Sequence, residues 1–419
     1  MTSLFEFITM AFPKAGIQVG GLPITINMVL FGVVTIVNFK YIPKYLKLMP
    51  PFIFPYYLLV MFVFISVLIN IGNGTITAMT IAMTAVVTLS PLAGLSAMAL
   101  STEKSFKIVS ISSIVTGGYM IIQKIFGIIA TSIAGVSYTY GQDLAYKNIG
   151  YTGDPSSAVG EASKMPSTYQ NGNSVGLFLA TSLALLLSWT PDNSRWKTIR
   201  KVGIVMCLIG LTLCGSRSIL FPMLLVSVFI FFGYFRKLNG NEKKSLFINI
   251  FLFLLTLLLF LKITHSDVLN QLVERYIAQT TENPTSDRGS MWADGWQYIN
   301  NLNLKQFISF GIIGAPNDAV GSDGMMGFLL NRGIIAQLLF IACLGIPIVQ
   351  LMCKKETRIV AWSLVAVFIA FILDMSFYYL PCVMNFYLAF AIAGKSQNSD
   401  VSITKMKGVL PSENRYSGL

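Results

Sequence analysis

Runs of about 20 mostly apolar residues, separated by short polar clusters, recur along the whole chain. Each is long enough to cross a bilayer as a helix. The pattern predicts about twelve spans, at residues 3–19, 22–39, 52–70, 77–99, 108–134, 172–189, 202–215, 217–235, 246–263, 326–352, 359–375 and 380–394. The first carries Glu6, Pro13 and Lys14 and so predicts a broken or partly interfacial segment. It has no basic leader and no clean small-residue cleavage site, which argues against a removable signal peptide. Two polar stretches are long enough to fold between spans. A smaller one covers 135–171 and a larger one 264–325, with turn signals at Gly153-Asp154-Pro155 and Asn283-Pro284. The two halves show no repeat, which lowers the expectation of an inverted-repeat transporter.

Composition narrows the class. Of 419 residues, 54% are hydrophobic and 11% charged, and the mean hydropathy is +0.68. Soluble domains carry about 25% charged residues, so a water-soluble enzyme and a disordered chain are both excluded. The expected fold class is an all-α polytopic membrane protein with one large outer loop. A net charge of +12 would raise nucleic acid as a partner of a soluble chain. Here the position of the charges explains it. The loops 40–51, 101–107, 190–201, 236–245 and 353–358, with the tail 395–419, hold 20 Lys and Arg against 6 Asp and Glu, leaving 10 basic and 12 acidic residues elsewhere. The positive-inside rule then puts these loops and both termini in the cytoplasm, and no nucleic acid is called for.

Chemistry motifs are few. The five cysteines lie in or beside apolar runs without a CxxC pair, and His265 stands alone, so neither a disulfide framework nor a His-based metal site is expected. There is no GxxxxGK[ST], HExxH, GxSxG or plausible DxD pair. No metal or organic cofactor is expected.

Ionisable residues at membrane depth are therefore the functional candidates. Val202–Phe235 reads as two helices turned at Gly215-Ser216-Arg217-Ser218. The first rises only about 22 Å against a hydrocarbon core of about 30 Å. Arg217 is thus expected in a recessed cavity, where its planar fork suits a phosphate; the alternative is a loop-end arginine that snorkels. Arg288 precedes Trp292, Trp296 and Ile299 at helical spacing, predicting an amphipathic surface helix with its aromatics down; the alternative is an ordinary ion pair with Asp287 or Asp294. Lys124 beside Gln123, Arg332 and Asp374 fall toward outer helix ends, as site groups or as snorkelling charges. Asp323 heads the tenth span, either as a helix N-cap or as a carboxylate that orients or deprotonates a hydroxyl.

Three local motifs carry a resemblance. They are Met165-Pro166-Ser167-Thr168-Tyr169-Gln170-Asn171-Gly172-Asn173, then Cys214-Gly215-Ser216-Arg217-Ser218, and then Arg288-Gly289-Ser290-Met291-Trp292 followed by Gly311-Ile312-Ile313-Gly314, Asp323-Gly324 and Asn331-Arg332-Gly333. In this order they resemble the bacterial O-antigen polymerase and ligase superfamily, and within it the Wzy-type polymerases. The likeness spans roughly residues 160–340, while the first 150 match in topology only. It implies a GT-C-type membrane glycosyltransferase at the periplasmic face of the bacterial inner membrane. Its substrate would be an undecaprenyl-pyrophosphate-linked oligosaccharide, its partner a chain-length regulator, and its lipid product undecaprenyl pyrophosphate. By motif position Arg217 and Arg288 would hold the pyrophosphate, with Lys124, Arg275 and Arg332 as further cations. Asp323, Tyr169, Asn173 and Trp292 would orient the acceptor sugar. The ligases place a histidine where this chain has Asp323, which favours polymerase over ligase. A flippase of lipid-linked sugars is the reading from another class.

Overall fold

The computed structural model describes residues 1–19, 22–72, 78–134, 148–150, 164–236, 239, 240, 243, 244, 248, 288–315 and 322–407. Most of the two outer loops, including Arg275, and nearly all of the expected span 246–263 lie outside the described residues.

The described chain is mostly helical. Its N-terminal half contains α1 (Thr2–Ala11), α2 (Ile26–Val37), α3 (Ile42–Leu46), α4 (Ile53–Gly72), α5 (Ala78–Leu89), α6 (Gly94–Ala99), α7 (Thr102–Phe126) and α8 (Ile128–Thr131). Then come α9 (Gly172–Ser188), α10 (Ser194–Leu213), α11 (Arg217–Phe235), α12 (Arg288–Asn300), α13 (Leu304–Ile313), α14 (Gly324–Met352), α15 (Arg358–Leu373) and α16 (Leu380–Lys407). Two short antiparallel pairs accompany them, β1 (Gly16–Val19) with β2 (Leu22–Thr25) and β3 (Ile133–Ala134) with β4 (Asn148–Ile149).

Among the described residues, four stretches are long and apolar enough to cross a membrane: Pro50–Ile69, Ile81–Ala99, Thr102–Phe126 and Gly324–Met352. A fifth is Ile26–Val37 with Phe39–Leu46, if that pair, bent by 64°, is one span. The apolar helices α9 and α15, at 17 and 16 residues, fall short of the usual 20 or so. These helices support an all-α membrane protein.

Two expected segments are broken. The stretch 3–19 is not one helix. It stops at Ala11, and after Pro13 the chain runs as a strand in which Gly16 pairs with Thr25 and Val19 with Leu22. Proline has no N–H to give and disfavours helical geometry in the residue before it, and Phe12 is accordingly at φ −138°. The stretch 108–134 ends its helix at Phe126, where Gly127 turns the chain at φ 88° and its N–H closes on the Gln123 carbonyl at 2.9 Å.

The core sits around α9 and the first half of α16. Between Leu380 and Ala393 every side chain of α16 is buried, as expected for a helix enclosed by others rather than lying at a surface. α9 is wrapped by α7, α10, α11, α15 and α16.

α14 is two helices end to end. Gly333 interrupts it at φ 84°, ψ 171°, and a Cβ there would lie 2.5 Å from the Phe310 carbonyl oxygen. The Ala315 N–H donates to Leu330 O at 2.6 Å, so the end of α13 is docked into the break. Gly333→Ala should destabilise the protein by about 1–3 kcal/mol from the backbone alone, with the clash in addition. Thermal unfolding of the purified variant checks this, and an unchanged melting temperature contradicts it.

Candidate functional site

Four helix ends meet at one place: the starts of α9, α12 and α14 and the end of α15. Arg288, the first residue of α12, bridges two carboxylates there. Its Nε donates to Asp323 Oδ2 at 2.7 Å and its Nη2 to Asp374 Oδ2 at 2.9 Å. Asn173 Nδ2 donates to the same Asp374 oxygen at 2.6 Å. A planar fork with fixed donors can hold two separate carboxylates at once, which a lysine ammonium on a flexible stem does poorly.

Backbone groups fix both carboxylates. Asp323 Oδ1 accepts the N–H groups of Gly324 and Met375, each at 2.8 Å. Asp374 Oδ1 accepts the Ser376 N–H at 2.9 Å and the Ser376 hydroxyl. Asp323 is therefore both a helix cap, through Oδ1, and an ion-pair partner, through Oδ2. Gly324 makes the juxtaposition possible. It sits at φ 60°, and a Cβ would lie 2.0 Å from Ile372 O, so the start of α14 touches the end of α15 directly.

A cavity of about 240 Å³ opens beside this clamp. Its wall holds the carboxylates of Asp323 and Asp374, the carboxamides of Gln170 and Asn171, and the hydroxyls of Ser174 and Ser376; Tyr378 and Tyr379 with Met83 and Met375 complete it. Gln170→Ala should leave the fold intact, because the side chain is only half-buried and no hydrogen bond among the described residues depends on it. A melting temperature within a few degrees of wild type checks that.

Arg217 lies on the other side of the α9 start. Gly172 is pressed against the turn that precedes it: a Cβ on Gly172 would lie 2.1 Å from Cys214 O. The Met165 N–H donates to Leu213 O at 3.2 Å. Gly215 turns the chain at φ 61°, Ser216 is buried and Arg217 half-buried. The turn bearing Arg217 and the clamp bearing Arg288 thus meet on consecutive residues, Gly172 and Asn173.

The other expected site residues divide. Trp292 is in the cluster, with Nε1 donating to the Asp323 carbonyl at 3.2 Å. Its helix departs from the expected aromatic-down surface helix. Trp292 and Ile299 pack with Met326 and Leu330 of α14 and Phe310 of α13, while Trp296 is 55% exposed. The apolar stripe found a protein partner in α13 and α14. Arg332 is buried and turned inward, with Nη2 donating to Thr84 Oγ1 at 2.8 Å, one residue from Met83 of the cavity wall. Lys124 is half-buried on the last turn of α7 and is not part of that wall. Its neighbour Gln123 donates to Gly150 O and accepts from Ser167 N, each at 2.8 Å, and so ties the middle of the smaller polar loop to a point near its end. Tyr169 is away from the cavity. It is fully enclosed, its hydroxyl donating to Met10 O at 2.7 Å and accepting from Asn385 Nδ2 at 3.1 Å.

Asp374 is the residue whose importance the chain pattern left open, and Gln170, Asn171 and Ser376 join it from outside the expected set. The available signal was Asp374 with Ser376 at the end of an apolar run. Among the described residues no three His, Cys, Asp or Glu side chains gather as a metal-ligand set. No protein-family model matches this sequence and no curated protein matches it, so the family likeness stands on the motifs and their order.

Proposed function

We propose that this protein is a glycosyltransferase embedded in the bacterial inner membrane that polymerises undecaprenyl-pyrophosphate-linked oligosaccharide repeat units. It has the GT-C-type arrangement, about twelve spans, cytoplasmic termini and a site open to the periplasm. The observation that carries the proposal is the Arg288 clamp on Asp323 and Asp374 beside a cavity of mixed polar and apolar lining, with the Arg217 turn packed against the same helix start.

In the reaction a hydroxyl of the acceptor's terminal sugar attacks the anomeric carbon of the growing glycan. The bond from that carbon to the pyrophosphate oxygen breaks, and undecaprenyl pyrophosphate leaves with the electron pair. Negative charge grows on the leaving group, so a fixed guanidinium binds the transition state more strongly than the ground state. Arg217 supplies it from its recessed turn. Arg288 uses two of its five N–H donors on the carboxylates and offers the rest to the same group. Asp323 and Asp374 receive hydrogen bonds from the attacking hydroxyl and take its proton. Bound substrates must displace water from the site, because hydrolysis would waste the activated glycan.

In cells whose long-chain surface polysaccharide depends on this protein, Asp374→Asn at normal membrane levels should leave single repeat units and no long chains. Long chains of wild-type length contradict the proposal. Accumulation of repeat units on the cytoplasmic side would point to the flippase instead, and polymer present on carrier lipid but missing from lipid A core would point to the ligase.

Orientation has its own test. The exposed thiol is Cys353, while Cys207, Cys214, Cys343 and Cys382 are buried. In intact cells Cys353 should react with a membrane-permeant maleimide and not with an impermeant one. Labelling by the impermeant reagent would invert the topology.

A further inference from the structure

The cavity wall has a chemistry that the clamp alone does not explain. Arg288 is not part of it. The charged residues lining it are Asp323 and Asp374, and neither lysine nor arginine is among the described lining residues. An anionic phosphate placed there would meet two carboxylates of like charge, an arrangement that costs rather than stabilises. A polyhydroxylated neutral molecule meets the opposite situation. Carboxylates accept hydrogen bonds from its hydroxyls, the Gln170 and Asn171 carboxamides both donate and accept, and the serines do either. Tyr378, Tyr379, Met83 and Met375 give the apolar surface on which the C–H faces of a ring can lie.

Size sharpens this further. At about 240 Å³ the cavity is below the range of about 300–1,000 Å³ usual for drug-sized ligands. It has room for one sugar ring.

We infer that this cavity is a monosaccharide subsite that takes one neutral pyranose ring, the terminal sugar of the acceptor glycan, and rejects acidic sugars and phosphate. The assignment rests on the glycan-transfer reading above and assigns the two sides of the α9 start to different parts of the substrates. The sugar ring sits on the Asn171 and Asp374 side, and the pyrophosphate on the Arg217 side. Gln170 becomes a specificity-determining residue, because it lines the cavity without holding the clamp together.

The full-length protein in lipid nanodiscs can be tested directly by saturation-transfer NMR. The probes are the methyl pyranosides of glucose, galactose, mannose and N-acetylglucosamine, with methyl glucuronide and inorganic pyrophosphate as anionic probes. At least one neutral pyranoside should receive saturation, and the signal should be lost in Gln170→Ala and in Ser174→Ala, which line the cavity without bonding either carboxylate. Neither anion should displace it. In polymerisation assays the same two variants should raise the KM for the acceptor by about tenfold, the effect of one lost hydrogen bond at the upper end of its usual range, while kcat changes less.

The inference is overturned if no neutral pyranoside gives a signal that either variant removes, or if pyrophosphate displaces the sugar. Polymer formed without variant-sensitive sugar binding removes the subsite and leaves the polymerase reading standing. Variant-sensitive sugar binding without any polymer removes the polymerase reading and leaves a neutral-sugar site.

Discussion

Arg288→Ala should reduce polymerisation by on the order of 10²–10³-fold, the usual consequence of removing one fixed donor from a developing oxyanion. Here the loss has a second source. The guanidinium holds Asp323 at 2.7 Å and Asp374 at 2.9 Å, so its removal leaves two carboxylates facing each other across the cavity mouth. Like charges left without their shared cation repel and push each other out of position. The acceptor hydroxyl then loses both its aim and the base that takes its proton. Arg288→Lys should fail nearly as badly, because a single ammonium cannot reproduce two donors in one plane. The double variant Arg288→Ala with Asp374→Asn should regain part of the lost stability, since one of the two opposed charges is gone. Additive stability losses in the double-mutant cycle would show that the pair is not coupled. Steady-state rates and melting temperatures of the four proteins separate these effects.

Arg217→Ala should cause a loss of similar size with a different signature. Its proposed ligand is a pyrophosphate, which binds a point charge well. Arg217→Lys should therefore recover a substantial part of the rate, where Arg288→Lys does not. Equal damage from lysine at both positions would mean that Arg217 also serves a geometric fork, and that the division of labour between the arginines is wrong.

Much of the helix layout is legible in the apolar pattern because hydropathy reports burial and length. The run expected at 217–235 coincides with α11, and the runs at 172–189 and 359–375 match α9 and α15 to within two residues at either end. Hydropathy is blind to backbone exceptions inside an apolar run. It therefore misses the strand pair after Pro13 and the break at Gly333. The clamp is not legible for a different reason. Asp374 is 86 residues from Arg288 and 201 from Asn173, and nothing local in the chain announces such pairings. Asp323 reads as a cap or as a carboxylate that orients or deprotonates a hydroxyl; the cap is formed through Oδ1, while Oδ2 accepts from Arg288, a pairing the sequence does not announce. Tyr169 shows the opposite failure. An aromatic beside polar residues reads equally well as a sugar platform or as core, and its hydroxyl bonds, 159 and 216 residues away, place it in the core.

The most direct measurement is to incubate the purified protein, reconstituted in liposomes, with defined undecaprenyl-pyrophosphate-linked repeat units and no other enzyme, and to weigh the products. The prediction is a ladder spaced by whole repeat units, with one undecaprenyl pyrophosphate released per transfer. Repeat units that cross the bilayer but never gain mass would contradict it.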